Sequence, residues 1–382
     1  MKPFCALKFF KENKKKGLLT IIVLILSVCA VSIITVLINS IHETCDDTML
    51  RPFMELSLVT KTTGQFYLDS SVADKLKSDS NIDRIISCDV DETSFYTTIG
   101  NTQIFGIFAD KSDINFILNK EGDSVKQGRM PEDKTNEIAV HWRIMSNKKW
   151  KIGQIVGSDK DSNEGLSGSY KIVGVLDGPT VAMVGTQSYR DKQYIKNGLD
   201  ITKTIAYAVI PKVSKLTAVN KTLEKISKNN AEIVDYTQIK KDLDKFLSSI
   251  NSILIAIILI VTIILSISVG SLMYLIYLQR SDEFGILIAM GYRKNFIYHL
   301  IFKEVLSLDI ISWVAGIIFS YLAVQLLNEL VYVPQGNILN FLNLTVFEYS
   351  LAIPLMVAIF SALPILMKMR KQDPITIIER RD

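Results

Sequence analysis

Thirty-two consecutive residues, Leu247–Leu278, carry no charge. A helix crosses a membrane core with about 20 apolar residues. Three further segments meet that length: Gly17–Ile38, uncharged over 22 residues; Val305–Leu327, interrupted only by Asp309; and Tyr349–Met367, uncharged but carrying Pro354 and Pro364. A soluble helix rarely stays uncharged so long, so the hydropathy predicts four spans. The mean hydropathy of +0.26 averages these runs with a long, ordinary polar middle region. The expected fold class is an α-helical membrane protein with four transmembrane helices plus an α+β extracytoplasmic domain inserted between helices 1 and 2.

The Leu247–Leu278 run is too long for a simple crossing. At about 1.5 Å per residue it reaches about 48 Å, against a core of about 30 Å. It reads as a helix that continues out of the membrane as a stalk, and Asp242, Asp244 and Lys245 just upstream suit water.

Lysine and arginine placement sets the orientation. Residues 1–16 hold six, residues 279–303 hold four (Arg280, Arg293, Lys294 and Lys303), and the tail after Met367 holds five. Residues 328–348 hold none. Both termini and the 279–303 loop are therefore expected on the cytoplasmic face of a cell membrane. The 33 lysines against 10 arginines, with many Ile and Asn, suggest an A+T-rich bacterial genome. The expected partition is a basic, amphipathic cytoplasmic N-terminus 1–16, helix 1 over 17–40, an outer domain 41–246, stalk and helix 2 over 247–278, and a cytoplasmic loop 279–304. Helix 3 over 305–327, an outer loop 328–348, helix 4 over 349–367 and a cytoplasmic tail 368–382 complete it. The first run outlasts a signal peptide and no small-x-small site follows it, so it reads as an uncleaved anchor.

Cys5 falls on the cytoplasmic side and Cys29 in the membrane. Cys45 and Cys88 are both outside and could pair in an oxidising compartment, but two cysteines without a framework read as free thiols. In the outer region, runs rich in β-branched and aromatic residues at 55–60, 85–89, 95–99, 102–108, 137–140, 152–156, 170–176 and 205–210 predict strands. Helices are expected at Val72–Asp79, Leu216–Lys228 and from Thr237 onward. Gly157–Gly168 reads as a mobile polar loop. Of the three histidines, His141 reads as a packing or surface residue, since nothing supports a triad around it. No metal-binding spacing, P-loop or other nucleotide motif is present.

Between two spans lies Gln279–Phe296, "QRSDEFGILIAMGYRKNF". Gly285 and Gly291 are separated by five residues and followed by Tyr292 and Arg293, which excludes a phosphate loop. Ser281 or Asp282 is expected to cap a short helix, Glu283 to favour its positive end, and Gly291 to end it in a left-handed turn. Phe284, Ile286, Leu287, Ile288 and Met290 are too apolar for a free loop, so a cleft on a partner or the membrane surface is expected to receive them. Asp309 is expected near the cytoplasmic end of its span, facing headgroups or a partner helix; a functional membrane carboxylate is the other reading.

The stretch "RSDEFGILIAMGYRKNFI" (280–297) and the tail "ALPILMKMRKQDPITIIER" (362–380) resemble the permease subunits of the FtsX/MacB class of ABC transporters. "GRMPEDKTNEIAV" (128–140), "KIGQIV" (151–156) and "YKIVGVLDG" (170–178) resemble the outer domain of MacB-like members. The resemblance implies a non-catalytic permease subunit with no cofactor of its own, working with a cytoplasmic ABC ATPase dimer that binds ATP and magnesium. It implies a second copy or a homologous permease as partner in the membrane, contact with membrane lipid, and no nucleic acid. It makes Glu283, Phe284, Gly285, Leu287, Met290, Gly291 and Arg293 the expected ATPase-coupling residues. Two functions stay open: export or clearance of a peptide, toxin, lipid or lipoprotein, or mechanical regulation of an outer cell-wall hydrolase or sensor complex.

Overall fold

The structure is a computed structural model describing residues 14–371 except 64, 98–99, 197, 199, 201–204 and 228–230. The end of the 362–380 stretch, from residue 372 on, and most of the basic N-terminus lie outside these residues. The chain divides into two compact units, residues 1–39, 250–328 and 339–382, and residues 40–249 with 329–338.

Helix α1 (Lys14–Cys45) is followed by a π turn (Asp46–Leu50) and a 3-10 turn (Arg51–Phe53). The second unit then builds β1 (Ser57–Thr60), α2 (Ser70–Lys77), β2 (Ile82–Thr97), β3 (Gly100–Ala109), α3 (Lys111–Glu121), β4 (Ser124–Gly128), β5 (Glu137–His141) and α4 (Trp142–Lys148). It continues with β6 (Ile155–Val156), β7 (Tyr170–Asp177), β8 (Met183–Thr186), α5 (Gln187–Lys196), β9 (Ala206–Pro211), α6 (Leu216–Ser227) and β10 (Glu232–Val234). The strands join in the order β10-β1-β9-β2-β3-β8-β5-β7-β4, with β6 on β7.

One strand makes this a single sheet. The two short strands expected at 85–89 and 95–99 are one, β2. Its Ile82–Cys88 half pairs antiparallel with β9, and its Asp89–Thr97 half pairs antiparallel with β3. On the first half, α2 and α6 cover the sheet through Val72, Leu76, Val219, Leu223 and Ile226, the helical spacing read from the sequence. On the second half, Phe95, Phe108, Ile138 and Tyr170 form a separate core.

The polar segment 157–168 is held in place, contrary to the expected mobile loop. Ser158 N–H donates to Leu166 O at 2.8 Å, and Leu166 is fully buried. The Glu164 carboxylate accepts from Lys148 Nζ at 2.9 Å and from Thr93 Oγ1. His141 is buried as the N-cap of α4: its Nδ1 accepts from Arg143 N–H, and its Nε2 lies 3.3 Å from Gly178 O. Cys45 and Cys88 are free, buried thiols.

Helix α7 (Tyr236–Gln279) is one continuous helix of 44 residues, so the long apolar run and its polar upstream end share one element. After it come α8 (Ser281–Ala289), α9 (Lys294–Leu327) and α10 (Leu344–Lys371). Among the described residues, three helices are long and apolar enough to cross a membrane; the fourth expected span appears as the shorter apolar stretch Leu344–Phe360 within α10. Leu24, Val28, Met273, Tyr277, Ile301, Val305, Ile353 and Val357 share one apolar core from α1, α7, α9 and α10.

Candidate coupling site

Helix α8 begins without the expected cap. Ser281 is already helical, and the N-cap position belongs to Arg280, which makes no side-chain cap bond. Arg280 is spent on packing instead. It is 3% exposed, its Nη1 donates to Glu304 Oε2 at 2.8 Å, and its Nε donates to Glu283 Oε2 at 3.2 Å. Its guanidinium lies over the rings of Phe284 and Tyr277, 5.2 and 5.7 Å from their centroids. A planar, always-charged fork suits such a site: it accepts two carboxylates and two aromatic faces at once. Glu283 therefore has a partner inside its own chain.

The far end of α8 closes as the sequence predicts. Tyr292 N–H donates to Leu287 O at 3.1 Å and Gly291 N–H to Ile288 O at 3.0 Å, the pair of bonds that defines a Schellman stop. Gly291 has φ +90°, a conformation strained for any residue with a Cβ. Arg293 then caps α9 in extended geometry, and α9 runs unbroken from Lys294 into the apolar segment.

The helix presents two faces. Phe284 and Leu287 are buried in the helical core, with Ile288 packed against it. Ile286 (51%) and Met290 (61%) are exposed, and so are Tyr292 and Phe296, whose rings stack at 5.4 Å. Of the seven residues expected to couple, Phe284, Gly285 and Leu287 are thus buried within the chain, while Met290, Gly291 and Arg293 face outward and Glu283 is half-exposed. Sequence reasoning missed Arg280 and Glu304 as its anchor. The available signal was a glutamate immediately before one apolar segment and an arginine immediately after the preceding one.

A second ordered device lies in the other unit. Residues 329–338, between α9 and α10 in sequence, belong to it. Arg143 is buried; its Nε donates to Gly336 O at 2.8 Å and its Nη1 to Asp47 Oδ2 at 2.9 Å. Asn147 Nδ2 donates to Gln335 O and Tyr96 O, and Asn337 Nδ2 to Tyr96 O. Gly336 adopts φ +73° with its α-carbon so close to Arg143 that a Cβ would sit 2.1 Å from that residue's carbonyl oxygen. Glycine is the residue that fits. Among the described residues no three His, Cys, Asp or Glu side chains are grouped to hold a metal ion.

Residues 253–374 match the family described as FtsX-like permease C-terminal. That segment contains α8, the Arg280–Glu304 anchor and all of α9. Over that segment the chain is similar to FtsX-like permeases. No curated protein matches the chain. Solved structures similar to it include the periplasmic region of MacB from Actinobacillus actinomycetemcomitans, at 13% identity and TM-score 0.31, covering 51% of this chain and 95% of that one. The extracellular domain of the noncanonic ABC-type transporter YknZ from Gram-positive bacteria aligns at 12% identity and TM-score 0.27, over 46% and 93%.

Proposed function

We propose that this chain is the permease half of a transporter driven by a separate cytoplasmic ATPase dimer, which binds the ATP and magnesium. A second copy or a sister permease completes the membrane part. The 279–304 loop faces the cytoplasm and 41–246 the outside, as the lysine and arginine asymmetry suggests. The observation that carries this is the outward face of α8. Ile286 on α8 and Met290 at its C-cap are exposed, as are Tyr292 in the following turn and Phe296 at the start of α9, while the opposite face and the ends of α8 are fixed by Leu287, Arg280 and Gly291. Rigid, apolar and short, it suits a groove on a partner subunit. Movement received there passes along α9, continuous over 34 residues, toward the 329–338 segment that Arg143 and Asn147 hold. An outer domain of about 200 residues gives that movement a large lever on an extracytoplasmic peptide, toxin, lipid or lipoprotein, and export or clearance is the role it supports.

The test is co-purification with the ATPase encoded beside it. Met290→Asp and Ile286→Asp place a charge on the exposed face and leave the Arg280–Glu304 pair intact. Each is expected to lower ATPase recovery at least tenfold, about 1.4 kcal/mol or more of lost contact, at unchanged membrane levels. Wild-type recovery for both would reduce α8 to a connector.

A further inference from the structure

Hydroxyls in the membrane helices of this chain mostly fold back on their own backbone. Ser27 Oγ donates to Val23 O at 2.8 Å, Ser268 Oγ to Ile264 O at 2.8 Å, Ser307 Oγ to Lys303 O at 2.7 Å and Ser320 Oγ to Gly316 O at 2.6 Å. Five buried side chains of the same unit do otherwise. Ser32 on α1, Thr262 and Ser266 on α7, and Asp309 and Ser312 on α9 have polar atoms with no hydrogen-bond partner. Asp309 is the ionisable member. It is 0% exposed and both its carboxyl oxygens are unpartnered. It lies near the middle of α9, beside the buried Val305, Leu308 and Ser312. Its enclosure differs from the expected facing toward headgroups or a partner helix. The chain's own helices cover it completely, so neither lipid nor a second permease copy packed on the outside reaches it.

The surroundings decide which ligand it takes. Residues 17–38 of α1, 247–278 of α7 and 349–360 of α10 contain no charged side chain. The titratable group within electrostatic reach on α7 is Tyr277. On α9 itself the nearest charge is Glu304, which is already matched by Arg280. A metal ion needs several oxygen ligands converging on it, and among the described residues neither Asp309 oxygen has a hydrogen-bond partner. A bare carboxylate in such a place is very costly, whereas a neutral carboxylic acid costs only what an unpaired polar group costs.

We propose that Asp309 is an intramembrane proton-binding site, which carries a proton while the helices are packed and gives it up when their movement admits water to α9. On opening, the O–H bond breaks, the proton passes to water and the carboxylate stays on the helix; on repacking the same proton count returns. Gly316, two turns further along α9, marks where the packing closes. A Cβ there would lie 2.8 Å from the Val28 Cβ of α1, so a larger residue forces α1 and α9 apart.

The experiment is infrared spectroscopy of the full chain in lipid nanodiscs at about pH 8, far above the ordinary carboxyl range. Aspartate labelled with carbon-13 at its side-chain carboxyl identifies an un-ionised aspartic acid by its carbonyl band without any mutation. Wild type is expected to show that band, Asp309→Asn to lack it while folding normally, and Gly316→Leu to lose at least half of it. Gly316→Ala, a milder wedge, gives an intermediate loss and covers the case where Gly316→Leu does not fold. Absence of the band in wild type, its persistence in Asp309→Asn, or its full retention in a folded Gly316 variant would overturn the proposal.

Discussion

The sheet domain and the helical core bury charge by different rules. Among the described residues of the sheet domain, the buried arginines and the largely buried Lys148 meet counter-ions. Arg190 donates to Asp89 and, at 2.7 Å, to Asp91, with Tyr170 and Tyr194 adding hydroxyl contacts and the Phe108 ring lying 4.9 Å away. Arg143 faces Asp47, and Lys148 faces Glu164. In the helical core the buried Arg280 meets Glu304 where α7 ends, and Asp309 further along α9 has no hydrogen-bond partner among the described residues. A sheet with many strand ends can bring loops from distant sequence around one ion. Long apolar helices have few polar side chains to spend, so a single carboxyl among them stays alone. In a domain held together by packing the charge is part of the architecture; between helices that move it marks a functional group.

The comparison breaks most visibly at Arg190. Arg190→Met leaves Asp89 and Asp91 buried without a cation, and losing one partner of a buried pair costs about 3–5 kcal/mol. Urea unfolding of the full chain, followed by fluorescence of Trp142 and Trp150, should show that loss for the outer domain. A change below about 1 kcal/mol would mean that burial there does not depend on pairing.

His141 sharpens the comparison, because it is a buried group of the sheet domain without a salt-bridge partner. Burial, first, and then the neighbouring Arg143 push it down to about 4, while the bond to Gly178 O acts the other way. Its ordinary value in an unfolded chain is about 6.5. The folded state therefore binds fewer protons than the unfolded chain between these values. The stability this contributes is complete above about pH 6.5 and is lost as pH falls toward 4, about 3 kcal/mol in all. His141→Asn keeps an N-cap acceptor for α4 and removes the titration. The variant should show a flatter fall in unfolding free energy from neutral pH to pH 4; an unchanged slope would place the acid sensitivity elsewhere.

Asp123 gives the smallest effect and the opposite sign. Burial raises it to about 6, although Thr180 N–H donates to its Oδ1 at 3.1 Å. Held above its unfolded value of about 3.8, it penalises the folded state once ionised, fully above pH 6, and the penalty disappears as pH falls to 4. Asp123→Asn should then raise outer-domain stability by about 1–2 kcal/mol at pH 7–8 and by nothing near pH 4. A loss at neutral pH would show that the carboxylate is needed in its charged form.

Much of this was legible from residues alone. The runs at 170–176 and 205–210 became β7 and β9, and the spacing of Val219, Leu223 and Ile226 gave the buried face of α6. Gly291 was read as a left-handed stop and is one. Other elements gave little signal. Strand β4, "SVKQG", is mostly exposed and polar; β8, "MVGT", is four residues long; α5, "QSYRDKQYIK", has no apolar stripe. Tertiary pairing makes these elements, so local pattern does not announce them. The candidate site divides in the same way. The short capped helix was legible, but which face it buries was not, because Phe284 and Ile286 are equally apolar in sequence.

The sequence by itself determined where apolar helices run and where the chain turns, since those follow from hydropathy and backbone chemistry a few residues long. Tertiary structure decided the partners of the ionisable groups. Glu283 meets Arg280 within its own chain, and Arg143 holds a segment 193 residues away. Asp309 looked like a carboxylate near headgroups and is enclosed. Charge pairing acts across any sequence distance, and whether a side chain meets a counter-ion, water or nothing depends on which helices and strands close around it.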